Sequence, residues 1–193
     1  MPITNYSSYS RAAFEGQFIP QYGESSYFGI QGKVKNAQPL TVMEGRIPYG
    51  RLVVVNSRGN AGEYNVSLPS NQIEQPIGIS IALDTHTKKY RTSETYNPIS
   101  NSFQMEAGIP SGKKLTVMRR GLVWVFSESA LLPTANIAYR FAVTAPNTNQ
   151  SLGRFLTYTG AYGEVYLPYA KVIRPCISAL GGFALIHVSF PMV

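Results

Sequence analysis

The chain has 193 residues, of which 44% are hydrophobic and 14% are charged, whereas roughly 25% charged residues is typical of soluble domains. This length predicts one domain with a sizeable core. The net charge of +7 reflects a scarcity of acids, and the bases form short, separate pairs such as Arg119-Arg120. The sequence therefore lacks the basic arm typical of nucleic-acid binding, and an acidic protein surface is the remaining class of charged partner.

Two further features narrow the class of protein. Cys176 is the only cysteine, which excludes a disulfide within the chain and a cysteine-based zinc site. No apolar stretch approaches the length of a membrane span, and the first residues lack the pattern of a signal peptide. We expect a protein without a membrane partner that is made in a cytoplasm and leaves it, if at all, by lysis.

Residues 1–30 are rich in aromatic residues that follow no regular period. Glycines and Pro20 interrupt the helical spacing, which favours an extended segment. Seven aromatics without a period cannot form their own core, so they need the body of this chain or a neighbouring chain, and a disordered tail is the third alternative. We predict an extended arm over residues 1–30 and a single domain over 31–193. The aromatic residues are Tyr6, Tyr9, Phe14, Phe18, Tyr22, Tyr27 and Phe28.

One short motif occurs twice, as MEGRIPYGR at Met43–Arg51 and as MEAGIPSGK at Met105–Lys113. In each copy the proline fixes φ for the second position of a turn, and the glycine two residues later suits the left-handed conformation. A base and an apolar run follow each copy. The motif therefore predicts a corner that starts a core strand.

The remaining pattern consists of short runs rich in Val, Ile, Tyr and Phe between clusters of Gly, Pro, Asn and Ser, which is typical of strands and turns. The one helical candidate, residues 127–132, is stopped by Pro133. We therefore predict an all-β fold, a sandwich or closed barrel. The predicted strands are Leu40–Met43, Arg51–Ser57, Pro76–Leu83, Lys114–Ser127, Ala138–Ala145, Arg154–Thr159, Glu164–Ile173 and Phe183–Phe190.

Two of these runs, Leu52–Val55 and Gly121–Phe126, are apolar at both odd and even positions. Both faces of such a strand must be covered, whereas a two-layer sandwich covers only one. The second face must contact a loop, the N-terminal arm or another subunit. This pattern predicts that the working form is an assembly.

A long polar stretch separates the predicted strands at residues 84–112. Segments of this length without apolar period are usually functional or disordered, and we predict a surface excursion with a small hairpin near Asn97-Pro98.

The sequence offers no coherent catalytic or metal-binding set. Its only histidines are His86 and His187, and the Asp84-Thr85-His86 pair lacks a third ligand. The Gly108–Lys114 stretch resembles a phosphate-binding loop but has three residues between its glycines and no following helix. We expect no enzyme, no metal and no cofactor. In the closing strand, Ile186 and Val188 point to one face and His187 to the other.

A resemblance to a known family rests on these strands together. The matching features are G-x-I-P-Y-G at Gly45–Gly50, the strand at Pro76–Ile79, the segment Ile109–Val125 and the apolar final strand. From about Gly32 to Pro191 the chain resembles the structural cement, or head-decoration, proteins of tailed bacteriophages.

The resemblance implies a jelly-roll-like β-sandwich that binds the outer surface of a capsid and bridges major capsid subunits, as a trimer or a dimer. It implies a virion protein, located on the capsid exterior and assembled in the host cytoplasm. The candidate contacts with capsid or neighbouring subunits are Tyr6, Tyr9, Phe14, Phe18, Tyr22, Arg119 and Arg120. The alternative is a carbohydrate-binding jelly roll of a tail fibre or adhesin, in which loop tyrosines stack on sugars; its candidates are Tyr90, Tyr96, Tyr158 and Tyr162.

Overall fold

A computed structural model describes residues 16–19, 28–34, 46–58, 64–81, 108–142 and 152–191. All the regular elements in these ranges are strands, which confirms the predicted all-β class. The strands are β1 (Phe18–Ile19), β2 (Phe28–Val34), β3 (Arg46–Pro48), β4 (Leu52–Arg58), β5 (Tyr64–Ser67), β6 (Pro76–Ser80), β7 (Gly108–Pro110), β8 (Lys114–Ser127), β9 (Ile137–Arg140), β10 (Phe155–Thr157), β11 (Glu164–Tyr166), β12 (Ala170–Arg174) and β13 (Gly182–Ser189).

The observed strands β1, β2, β3, β5 and β7 have no counterpart among the predicted strands. The prediction for β8 has the observed bounds, whereas the single strand predicted over Glu164–Ile173 is wrong: it divides into β11 and β12 at a turn that contains Pro168. Proline lacks the amide hydrogen that a continuous strand would need there. The predicted strand Leu40–Met43 lies outside the described residues, as does most of the excursion at 84–112.

Five strands pair around a closed ring in the order β8, β2, β5, β4, β6 and back to β8. Only the β2–β5 pair is parallel, and the other four pairs are antiparallel. Alternate residues of these strands fill one apolar cluster with residues from the neighbouring turns. Its members are Ile47, Tyr49, Val53, Val66, Leu68, Ile77, Ile109, Leu115, Val117 and Leu152.

A second, larger cluster lies on the other side of the ring strands. The second half of β8 pairs with β13, β13 pairs with β12, and β10, β9 and β11 extend the sheet from the end of β8. Leu52 and Val54 of β4 belong to this cluster, while Val53 of the same strand belongs to the first. The chain itself thus covers both faces of the run Leu52–Val55, without another subunit.

The two copies of the repeated motif lie against each other. Strand β3 pairs antiparallel with β7, so that Ile47 lies opposite Ile109, the equivalent residue of the other copy. Gly50 has φ 75° and Gly112 has φ 79°, which confirms the left-handed conformation predicted for both glycines. Strands β4 and β8 begin directly after these turns. The predicted corner is therefore confirmed, and its two copies lie side by side through the β3–β7 pair.

The described part of residues 1–30 belongs to the main sheet. Strand β1 pairs antiparallel with β8, with Phe18 opposite Val123, and β2 pairs with the first half of β8. Residues 1–15 and 20–27 lie outside the described residues.

Candidate interaction surface

The second half of β8 and the strands β9 to β13 form what we call the outer sheet. One face of this sheet, where β8, β13 and β12 pair, combines aromatic and basic side chains. Residues directly opposite in an antiparallel pair share a face of the sheet. Because Phe126 pairs with Phe183 and Leu122 with His187, the even residues of β8 share a face with the odd residues of β13. Lys171 and Arg174 of β12 pair with this column. We define the basic-aromatic face as Arg120, Leu122, Trp124, Phe126, Lys171, Arg174, Phe183, Leu185 and His187.

The aromatic part of this face is only partly covered by the described residues. Phe126 and Phe183 contact edge to face, with ring centroids 5.8 Å apart, and Phe183 is 41% exposed. The guanidinium of Arg154 lies 4.7 Å from the centroid of the Phe126 ring. Trp124 is half-buried, whereas Val125 on the opposite face of β8 is fully buried. The sequence predicts that both faces of the run Gly121–Phe126 are covered, whereas in the structure only the odd residues of this run are buried.

The basic part of the face surrounds His187. Burial, then the positive charges of Arg120 and Lys171, lower the pKa of His187 below its ordinary value of 6.5. Both cations are exposed. Arg174 is exposed as well, and it pairs with Leu185, two residues before His187 on β13. The face therefore carries a local concentration of positive charge beside its aromatic residues.

No described carboxylate lies on this face, because each described carboxylate bonds elsewhere. Glu74 accepts hydrogen bonds from Ser70 N and Oγ at 2.6 and 2.8 Å. Glu128 pairs with Arg140 Nε at 2.6 Å, just beyond the end of β8. Glu164 accepts hydrogen bonds from Thr159 N and Oγ1 at 2.9 and 3.0 Å. Glu74 and Glu164 bond to turn and loop residues and Glu128 pairs with the last residue of β9, so the positive charge of the face has no described acid as partner.

The two arginines of the predicted pair have different environments. Arg119 is 4% exposed and its guanidinium donates a hydrogen bond to the carbonyl oxygen of Pro191. The backbone of the same residue accepts a bond from Phe190 N at 2.8 Å. Arg120 is exposed on the basic-aromatic face. Arg119 thus fixes the end of the chain to β8, while Arg120 is the member of the pair that a partner can reach.

The predicted aromatic contacts lie mostly outside the described residues. Tyr6, Tyr9, Phe14 and Tyr22 are in this group, and for Phe18 the structure describes the backbone pairing with β8. Gly16 N donates to Trp124 O and Trp124 N donates to Gln17 O, both at 2.8 Å. Gly16 and Gln17 are therefore held beside Trp124 on β8.

The loop tyrosines of the alternative hypothesis are exposed where they are described. Tyr158 packs against Tyr166 with ring centroids 5.8 Å apart, and Tyr162 packs against Phe141 at 5.9 Å. Tyr90 and Tyr96 lie outside the described residues. Each of these two tyrosines thus contacts another aromatic ring of the same chain.

The described part of the chain contains no group of three or more His, Cys, Asp or Glu side chains close enough to bind a metal ion. Within the same ranges, no helix has the length and apolar character needed to cross a membrane. The single cysteine, Cys176, is buried.

Comparison with known proteins identifies the family of this chain. Residues 1–188 match the family described as structural cement protein (E217 gp24/Pam3 gp6). The chain belongs to this family. The capsid of the Myoviridae phage XM1 contains a chain with a similar fold, at TM-score 0.53 and 16% identity, covering 91% of this chain and 89% of that one. No curated protein sequence matches.

The family assignment confirms the resemblance seen in the sequence, and it includes the aromatic N-terminal residues of this cement protein. Sequence reasoning did not find Lys171, Arg174 and Phe183 as part of one surface. The sequence shows only which residues alternate between the two faces of a single strand. This alternation does not reveal which strands pair.

Proposed function

We propose that this cement protein binds the outer surface of a tailed-phage head and stabilises the shell by bridging neighbouring major capsid subunits. The observation that carries the proposal is the family match over residues 1–188. The protein acts without catalysis, as a structural component on the virion exterior, and it assembles in the host cytoplasm.

The physical basis of the proposed function is the repetition of weak contacts. A shell presents many identical sites, and a protein that contacts two subunits at once converts its second contact into an intramolecular event. A trimer or dimer of the cement protein multiplies these contacts further, with the trimer as our first expectation. Strand addition and aromatic burial suit this task, because neither needs a preformed pocket.

The N-terminal arm is the proposed connection to neighbouring subunits. Tyr6, Tyr9, Phe14, Phe18 and Tyr22 supply its apolar contacts, and the bonds between Gly16, Gln17 and Trp124 support an anchored origin for the arm. Of the proposed arginines, Arg120 is exposed and suits a capsid carboxylate, while Arg119 is buried and supports the structure around it.

The proposal is tested with shells assembled without this protein. Purified protein is added back, and binding is followed by co-sedimentation against the amount of major capsid protein. We expect saturation at a fixed ratio. A variant without residues 1–15, which keeps β1 on the sheet, is expected to bind at least about tenfold more weakly. Failure of the full-length protein to sediment with the shells contradicts the proposed function. Equal binding by the shortened variant contradicts only the role of Tyr6, Tyr9 and Phe14.

A further inference from the structure

We infer that the basic-aromatic face is a docking surface for an acidic region of the capsid shell that presents an apolar side chain beside its carboxylates. This inference rests on the proposed function and adds to it the face that binds and the chemistry of the surface that it contacts.

The charges of the face indicate the charge of its partner. Arg120 of β8 and Lys171 and Arg174 of β12 are exposed on the two strands that flank β13. The described residues place no carboxylate among them. Of the described acids, Glu74 and Glu164 bond to turn and loop residues, and Glu128 pairs with Arg140 of β9. An acidic partner surface supplies the missing counter-charge, and such complementarity steers association and fixes orientation.

The aromatic residues supply the apolar anchor. Trp124, Phe126 and Phe183 lie next to the cations and are half-buried or exposed. Binding hot spots are enriched in Trp, Tyr and Arg, with aromatic rings near the centre and charges around them. The opposite face of the same strands is packed, because Val123 and Val125 of β8 and Ile186 of β13 are fully buried in the larger core. This packing supports the basic-aromatic face.

A second copy of this chain is a poorer occupant. If two such faces met about a two-fold axis, Arg120, Lys171 and Arg174 of one copy would approach the same cations of the other. Like charges brought together at an interface oppose association. The whole chain is also positively charged, at +7.

Another exposed basic site provides a matched control. Lys113, in the turn before β8, and Lys114, the first residue of β8, are both exposed at the ring end of this strand. Arg120 lies seven residues beyond Lys113, which corresponds to roughly 20 Å along an extended strand. Reversing two charges at either site changes the net charge equally, so the comparison separates a specific face from general attraction.

The experiment measures binding to shells assembled without this protein. We compare the wild type, the variant Arg120→Glu with Lys171→Glu, and the control Lys113→Glu with Lys114→Glu. We expect the face variant to bind at least about tenfold more weakly and the control to bind within about twofold of the wild type. Wild-type binding is also expected to weaken with salt more steeply than that of the face variant.

The outcomes separate the two proposals. If the wild type does not bind, the proposed function fails. If the wild type binds and both double variants lose affinity equally, or neither does, the inference is overturned while the proposed function stands.

Footprinting of the wild type covers the case in which the face variant does not fold. Hydroxyl-radical labelling with mass spectrometry is applied to free and shell-bound protein, and we expect Trp124 and Phe183 to be protected only on the shell. Unchanged labelling on the shell overturns the inference. Protection in concentrated free protein that disappears on dilution assigns the face to a second copy. Protection in dilute free protein that is lost on removal of residues 1–15 assigns the face to the arm. Both results overturn the inference.

Discussion

Two equivalent glycines show how single residues determine the corners of this fold. Gly50 and Gly112 both have φ near +75°, a conformation in which an L residue costs roughly 1–2 kcal/mol. They differ in surroundings, because Gly50 is buried and donates its amide hydrogen to Ser80 O at 2.7 Å, while Gly112 is exposed. The same motif therefore makes one buried and one exposed turn.

Replacement of Gly112 by Ala is expected to cost about 1 kcal/mol of unfolding free energy, from backbone strain alone. A Cβ at this position meets nothing within 4 Å. At Gly153, which has a similar φ of +74°, a Cβ would lie 2.6 Å from the Leu52 carbonyl oxygen, so Gly153→Ala should cost clearly more. Urea denaturation of both variants checks this, and equal losses would contradict the assignment of the Gly153 cost to the close contact.

His187 predicts a pH dependence of stability. Burial, Arg120 and Lys171 lower its pKa in the folded state, whereas in the unfolded chain it returns to about 6.5. Above pH 6.5 both states are neutral and no penalty exists. As the pH falls through 6.5 toward the lowered folded pKa, the unfolded state binds the proton first, so stability decreases.

His187→Gln keeps a polar side chain but cannot titrate. We expect its urea midpoint to fall less between pH 8 and pH 5 than that of the wild type. The carboxylates and His86 are common to both proteins, so the difference reports His187. An identical fall in both proteins is the contradicting result.

At the scale of elements, β8 joins the two halves of the molecule. Its first half contributes Leu115 and Val117 to the ring cluster, and its second half contributes Val123 and Val125 to the larger core. The strand spans Lys114–Ser127 and pairs with β2, β6, β1 and β13. A central strand with so many neighbours is what a long valine-rich run without proline favours.

The β3–β7 ribbon predicts energetic coupling between the two motif copies. Ile47 and Ile109 are fully buried, lie opposite each other and belong to the same cluster. Each change to Ala is expected to cost about 2–5 kcal/mol, with a coupling of about 0.5–3 kcal/mol in the double variant. As a control, Ile47→Ala with Ile186→Ala should be additive, because Ile186 lies in the other cluster. Additivity of both pairs in denaturant titrations would contradict the coupled ribbon.

The elements also show how far the sequence alone reaches. It predicts β8 and the two corners because their signals are local: an unbroken apolar run, and Pro and Gly at fixed spacing. It does not predict ring closure, because the β6–β8 and β2–β5 pairs join segments distant in sequence. The basic-aromatic face depends on the same pairing, so only Arg120 of its cations was a candidate from sequence.

At the scale of the whole molecule, the apolar core is closed within one chain, and the proposed capsid contacts lie on the exterior. The ring and the outer sheet bury the apolar positions of most strands within one chain, so assembly is not needed to cover the run Leu52–Val55. Leu122, Trp124 and Phe126 remain partly exposed on the basic-aromatic face. This distribution agrees with membership of the structural cement family.

The central claim, that this protein stabilises a phage head, is tested most directly by the rupture temperature of the shell. Shells assembled without the protein are compared in a calorimeter with the same shells after saturation by it. Binding to the intact shell alone shifts the equilibrium toward that state, so the saturated shells should rupture at a higher temperature, and the shift should grow with protein concentration until saturation. Bound protein that leaves the rupture temperature unchanged would contradict the account.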